Sequence, residues 1–184
     1  MRELITRLVH KAAEDQSLRG TIVSQGGGKI LIDLFRSKEN TNLGKLLSAQ
    51  GVARLAITLD PVLAFPGQRT YEAISILLNL LHDQQDYLMN FEGLMALTNI
   101  ASINEGHRSK ICSTPGMLNA IESLVLEEHE MIRRAGVELI CNLSMSPIFC
   151  QQIIDKEAGD RLKLLVLMCQ EEEAKTRSAA AGAF

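Results

Sequence analysis

The sequence contains no tryptophan, only two tyrosines and five phenylalanines. An aromatic content of 4% argues against a nucleic-acid surface built on base stacking and against a β-sandwich. Excess charge is also missing. The formal net charge is −3, which leaves no general basic footprint for DNA or RNA. No apolar run reaches the roughly 20 residues that a membrane span needs. Arg2, Glu3 and Arg7 interrupt the start of the chain, where a secretory leader would carry its apolar stretch. The four cysteines, Cys112, Cys141, Cys150 and Cys169, have spacings that fit neither a zinc ribbon nor a compact disulfide framework. They read as reduced, mostly buried thiols of a cytoplasmic protein.

Apolar residues make up 46% and charged residues 22%, an ordinary globular composition. The most informative stretch is Asn90 to Ser102, NFEGLMALTNIAS. Leu94, Leu97, Ile100 and Ala101 recur at helical spacing, and the segment is apolar on almost every side, so neighbours must cover more than one face. One amide, Asn99, interrupts it. Met131 to Ser146 repeats the pattern, with Asn142 standing 43 residues after Asn99. Gln50 to Thr58 offers a third copy, with Arg54 in the place of the asparagine. Helical periods of this size mark HEAT or armadillo arrays.

Along the chain, each unit runs short helix, turn, medium helix, polar link, long helix. That order is armadillo-like and predicts an all-α, right-handed superhelix of about four three-helix units, approximately 1–58, 59–102, 103–146 and 147–184. Neither end shows the polar cap that closes a solenoid, so the array is expected to be incomplete at both ends. In the first helix, Leu4, Ile5, Leu8, Val9 and Ala12 form one apolar stripe expected to face the core. Gln25-Gly26-Gly27-Gly28-Lys29 superficially resembles a phosphate loop. No Ser or Thr follows the lysine and a helix precedes it, so the glycines read as a helix–helix joint that uses positive φ. Ile30, Leu31, Leu34 and Phe35 are expected to be buried in the helix that follows. Tyr71 to His82 reads as one amphipathic helix, and Asp160 as a cap for the helix after it.

The chain shows no catalytic pattern. His10, His82, His107 and His129 fall in different units without metal-ligand spacing, and there is no nucleophile elbow. The expected protein is therefore not an enzyme and uses no cofactor or metal. Asn99 and Asn142 each lower helix propensity and need hydrogen-bond partners. They serve either internal stacking or an amide ladder along a groove that takes an extended partner. The positions four residues earlier share that face. The candidate groove residues are Arg54, Met95, Asn99, Glu138 and Asn142, with Gln50 beside Arg54.

Several long motifs occur in a fixed order. Phe65-Pro66-Gly67-Gln68-Arg69 precedes Tyr71-Glu72. NFEGLMALTNIAS follows from Asn90, EEHEMIRRA from Glu127 and GDRLKLLVLMC from Gly159. SQGGGK from Ser24 and the closing AAAGA accompany them. Together, from about Val23 onward, they resemble the UCS family of myosin chaperones. The resemblance implies a cytoplasmic armadillo-repeat segment that binds the myosin motor domain and assists its folding and assembly. It also implies a link to Hsp90 through regions outside this chain, with no nucleic-acid or membrane partner. The Ser146 to Lys156 stretch and Phe184 depart from the family pattern. The FPGQR stretch is expected to shape a loop. The alternative is an armadillo adaptor for a linear peptide, as in importins. Those place a tryptophan four residues before the groove asparagine, where this chain has Met95 and Glu138.

Overall fold

Capping side chains set the start of six helices among the described residues. The computed structural model describes residues 1–82, 86–154 and 159–184, without the side chains of 154, 159 and 160. Every regular element among the described residues is helical. The chain divides into two units, Met1–Leu80 and Leu81–Phe184.

The first unit contains α1 (Arg2–Glu14), α2 (Gln16–Ser24), α3 (Gly27–Arg36), α4 (Asn42–Thr58), α5 (Pro61–Ala64) and α6 (Arg69–Leu77). The Asp15 carboxylate accepts from Ser17 N–H at 2.9 Å, Thr41 from Gly44 at 3.0 Å, and Asp60 from Val62 at 2.9 Å. Each satisfies an amide that the first helical turn leaves open. Helix α4 is the core element, buried without interruption from Ser48 to Ala56, and it packs against α1 and α3. Small residues permit this closeness. A β-carbon on Gly51 would lie 3.0 Å from the Leu31 methyl carbons of α3.

The second unit contains α7 (Tyr87–Ala101), α8 (Glu105–Ser113), α9 (Met117–Val125), α10 (Glu130–Leu143), α11 (Pro147–Ile154), α12 (Gly159–Met168) and α13 (Ala174–Gly182). Asp86, Asn104 and Glu173 cap α7, α8 and α13. The long helix α10 packs against α7 on one side and α13 on the other, with α9 behind it. Ile132, Val137, Leu139 and Leu143 of α10 are fully buried there.

Several expectations need correction. Of the apolar stripe expected on α1, Leu4, Ile5 and Leu8 are exposed, whereas Val9 and Ala12 are half-buried. Leu4 is 60% and Leu8 63% exposed, while Thr6 and Ala13 are buried against the core. The cause lies in α4, which presents Gln50 and Arg54 beneath α1 and so selects small and polar residues there. In α3, Ile30 is exposed, Phe35 is half-buried, and Ile32 takes a core position alongside Leu31 and Leu34.

Only Gly26 of the glycine run has positive φ, +78°. Gly27 and Gly28 belong to the first turn of α3 and serve close approach. A β-carbon on Gly28 would sit 2.2 Å from the Ala64 carbonyl oxygen, and one on Gly27 would sit 2.3 Å from the Ile22 side chain. The helix expected over Tyr71 to His82 leaves α geometry at Leu77 and continues as a 3-10 turn over Leu78–Leu80. Among the cysteines, Cys112 is buried, Cys141 and Cys169 are half-buried, and Cys150 is exposed. The cap expected at Asp160 lies outside the described side chains.

Candidate binding face

Helices α7 and α10 lie side by side, and each leaves one stripe incompletely covered. On α7 the stripe runs through Leu88, Glu92, Met95 and Asn99. On α10 it runs through Met131, Arg134, Glu138 and Asn142. Three pairs share one register, Leu88 with Met131, Met95 with Glu138 and Asn99 with Asn142, each 43 residues apart. Met95 and Glu138 therefore occupy matching places, as do Asn99 and Asn142.

The Asn142 amide bridges the two helices, its Nδ2 donating to the Thr98 carbonyl at 3.2 Å. The Thr98 hydroxyl in turn donates to the Leu94 carbonyl at 2.9 Å. The backbone carbonyl of Asn99 accepts from the Ser102 hydroxyl at 2.7 Å. Asn142 thus joins the internal stacking role to a half-exposed position. Glu138 has a charge partner one turn back, with Arg134 Nε at 3.3 Å.

Arg54 stands apart from these four. It belongs to the first unit, is 7% exposed, and lies beneath α1. Its Nη1 is 3.2 Å from His10 Nε2 and 3.8 Å from Glu14 Oε1. Gln50 is buried in the same layer, its Oε1 2.7 Å from His10 Nε2. Arg19 donates to the Arg54 carbonyl at 3.3 Å and to the Ala13 carbonyl at 2.7 Å. A hydrogen bond from Lys11, reinforced by the charges of Lys11 and Arg54, holds the Glu14 carboxyl below its ordinary pKa. Arg54 is therefore engaged within its own unit, and the exposed stripes of the second unit carry the remaining candidates.

The FPGQR stretch is likewise engaged internally. Phe65 is fully buried and its carbonyl accepts from the Thr70 hydroxyl at 2.6 Å. Gly67 has φ +64°. Arg69 donates to Asp33 at 2.6 Å and to Glu72 at 3.3 Å, and the Asp33 hydrogen bond is the main reason its pKa is raised.

One set of link-closing positions beside this face escaped the sequence reading. Arg133 Nη1 donates to the carbonyls of Glu127 and Glu128, both at 2.9 Å, closing the link before α10. Arg177 closes the link before α13 in the same way, through the carbonyls of Glu171 and Glu172 at 2.7 and 2.6 Å. Before α7 the equivalent residue is Asn90, which exchanges both amide hydrogen bonds with the His82 backbone at 3.0 Å each. The signal was present, since these residues recur at 43 and 44 positions, but the change from Asn to Arg hid it.

Among the described residues no three His, Cys, Asp or Glu side chains could hold a metal ion, and no helix is long and apolar enough to cross a membrane. No family model matches the chain. Curated relatives do. Protein unc-45 homolog B of Danio rerio is 42% identical over 186 residues, covering 100% of this chain and 19% of the relative. The chain therefore spans about a fifth of the length of such relatives.

UNC-45 from Drosophila melanogaster superposes with a TM-score of 0.92 at 39% identity, over 99% of this chain and 22% of that one. The myosin chaperone UNC-45 from C. elegans, solved in complex with an Hsp90 peptide, gives 0.86 at 34% identity over 99% and 20%. A designed armadillo repeat protein at 22% identity and a TM-score of 0.70 shares the fold. Sequence and fold agree along the whole chain, which is all-α, armadillo-like and homologous to a segment of UNC-45 in the UCS-domain family.

Proposed function

We propose that this chain is a myosin-chaperone segment that holds a partly folded myosin motor domain on the exposed stripes of α7 and α10. The carrying observation is the pair of matched positions, Met95 with Glu138 and Asn99 with Asn142, on adjacent helices of a chain homologous to UNC-45 throughout. Half-exposed amides offer donors and acceptors to an extended backbone, and Met95 offers adaptable apolar surface. This chemistry holds and does not catalyse. A tie to Hsp90 through regions outside this chain belongs to the same proposal; the C. elegans UNC-45 complex with an Hsp90 peptide supports the tie itself. The cytoplasm is the compartment, and division into units 1–58, 59–102, 103–146 and 147–184 is proposed on the same footing.

The test is light scattering of a myosin motor domain heated with and without the purified chain. Suppression of aggregation is expected, with a loss of suppression in Asn99→Ala combined with Asn142→Ala. Circular dichroism confirms that the double variant keeps its helices. An unchanged double variant removes the amides from the mechanism, and no suppression by the parent chain refutes the reading.

A further inference from the structure

The starts of α7 and α10 expose apolar side chains at matching positions. Leu88 and Met131 are each the second residue of their helix, at matching register, and are 52% and 47% exposed. Tyr87, more than half exposed, stacks on His129 with ring centroids 4.9 Å apart at 40°. Leu126, at the end of α9, is also exposed. Isolated exposed apolar residues are ordinary, whereas a cluster with an aromatic member marks a contact surface.

The surroundings of this cluster are acidic. The α9–α10 link contributes Glu127, Glu128 and Glu130, and Asp86 caps α7 beside Leu88. The one cation within this link and the first turn of α10, Arg133, is turned back into the link carbonyls, and its Nη2 lies 3.4 Å from Glu171. It therefore cancels a carboxylate of the next link rather than these. Glu127, Glu128 and Glu130 outnumber the neighbouring Arg133 and Arg134, and Arg134 is paired with Glu138 at 3.3 Å, so the edge keeps a negative balance.

We propose that this edge docks a partner segment that carries lysine or arginine beside apolar side chains. Leu88, Met131 and Tyr87 take the apolar side chains, and Glu127, Glu128 and Glu130 face the cations. Such a division, with apolar anchors within and charges at the rim, gives affinity to the former and orientation and association rate to the latter. The inference deepens the chaperone reading by stating the chemistry of the client segment, and it rests on that reading for its biological role.

The test uses the purified chain and fluorescein-labelled model peptides of equal length, made of Lys and Leu, of Glu and Leu, or of Lys and Ser, followed by fluorescence anisotropy. The Lys/Leu peptide binds, and the other two bind at least about tenfold more weakly. Leu88→Ser with Met131→Ser weakens Lys/Leu binding about tenfold. Glu128→Gln with Glu130→Gln weakens it about fivefold and flattens its salt dependence. All these positions are exposed, and circular dichroism confirms folding.

Equal binding of the Glu/Leu or Lys/Ser peptide overturns the proposal, as does a Leu88/Met131 variant that binds like the parent. The two readings fail separately. A chain that protects heated myosin yet shows no preference for the Lys/Leu peptide refutes the docking edge alone. A chain that selects the peptide but leaves myosin unprotected refutes the chaperone reading alone.

Discussion

Replacing Gly28 by alanine should destabilise the first unit, although alanine is the better helix former. The β-carbon would stand 2.2 Å from the Ala64 carbonyl oxygen and 3.2 Å from the Phe65 ring. Carbon–oxygen contacts ordinarily lie at about 3.3 Å or more, so α3 and α5 must separate by about 1 Å. Neither neighbour can yield cheaply, because one is backbone and the other is a fully buried ring. Overpacking of this kind costs about 1–3 kcal/mol. Helix propensity returns at most about 1 kcal/mol.

Gly20, inside α2, supplies the control, since its β-carbon would meet nothing within 4 Å. Gly20→Ala should therefore stabilise by about 0.5–1 kcal/mol. For a chain of this length each kcal/mol shifts Tm by about 2–4 °C. Thermal melting followed by far-ultraviolet circular dichroism, with urea midpoints as a second measure, should place Gly28→Ala below the parent and Gly20→Ala above it. A Gly28→Ala protein that melts together with or above Gly20→Ala would refute the close-approach argument.

Two further outcomes follow from the geometry. Asn90→Ala removes both hydrogen bonds to the His82 backbone, so the urea midpoint should fall by the equivalent of about 2 kcal/mol, and the His82 amide should lose protection from hydrogen exchange. Unchanged protection would show that the Asn90 amide does not close the link. Burial pushes the Cys112 thiol up to about 11 from an ordinary 9.0. Its neutral form is thus favoured in the folded chain, and this stability, present in full below pH 9, is lost as pH rises from 9 through 11, by at most about 3 kcal/mol. Native alkylation near pH 8 should mark the exposed Cys150 and spare Cys112. Equal labelling of both would contradict the burial.

The helical repeat was legible in the sequence because its long helices carry apolar residues on nearly every side, and such text recurs only if each copy is buried alike. The same period places the candidates Met95 and Glu138, and Asn99 and Asn142, at equivalent points on adjacent helices. Three features were hidden. The period locates the stripe of α1 but does not say what lies beneath the helix, and over Gln50 and Arg54 the buried positions are Thr6 and Ala13 while Leu4, Ile5 and Leu8 are left exposed. A glycine run announces backbone freedom, whereas Gly27 and Gly28 answer to neighbours distant in sequence or in the preceding helix. Asn90, Arg133 and Arg177 perform one task with two chemistries, so identity matching passed over them.

The polar layer under α1 also acts as a positional lock. His10, Glu14 and Arg19 meet Gln50 and the side chain and carbonyl of Arg54 at fixed points along α4. Sliding α1 by one helical turn, about 5.4 Å, would part His10 and Glu14 from Gln50 and the nearly solvent-free Arg54 guanidinium, a penalty of about 3–5 kcal/mol. Greasy surfaces tolerate such slippage because one methyl group serves as well as the next. Here the seam accepts a single alignment, so the first two long helices of the chain are indexed to one another before any partner arrives.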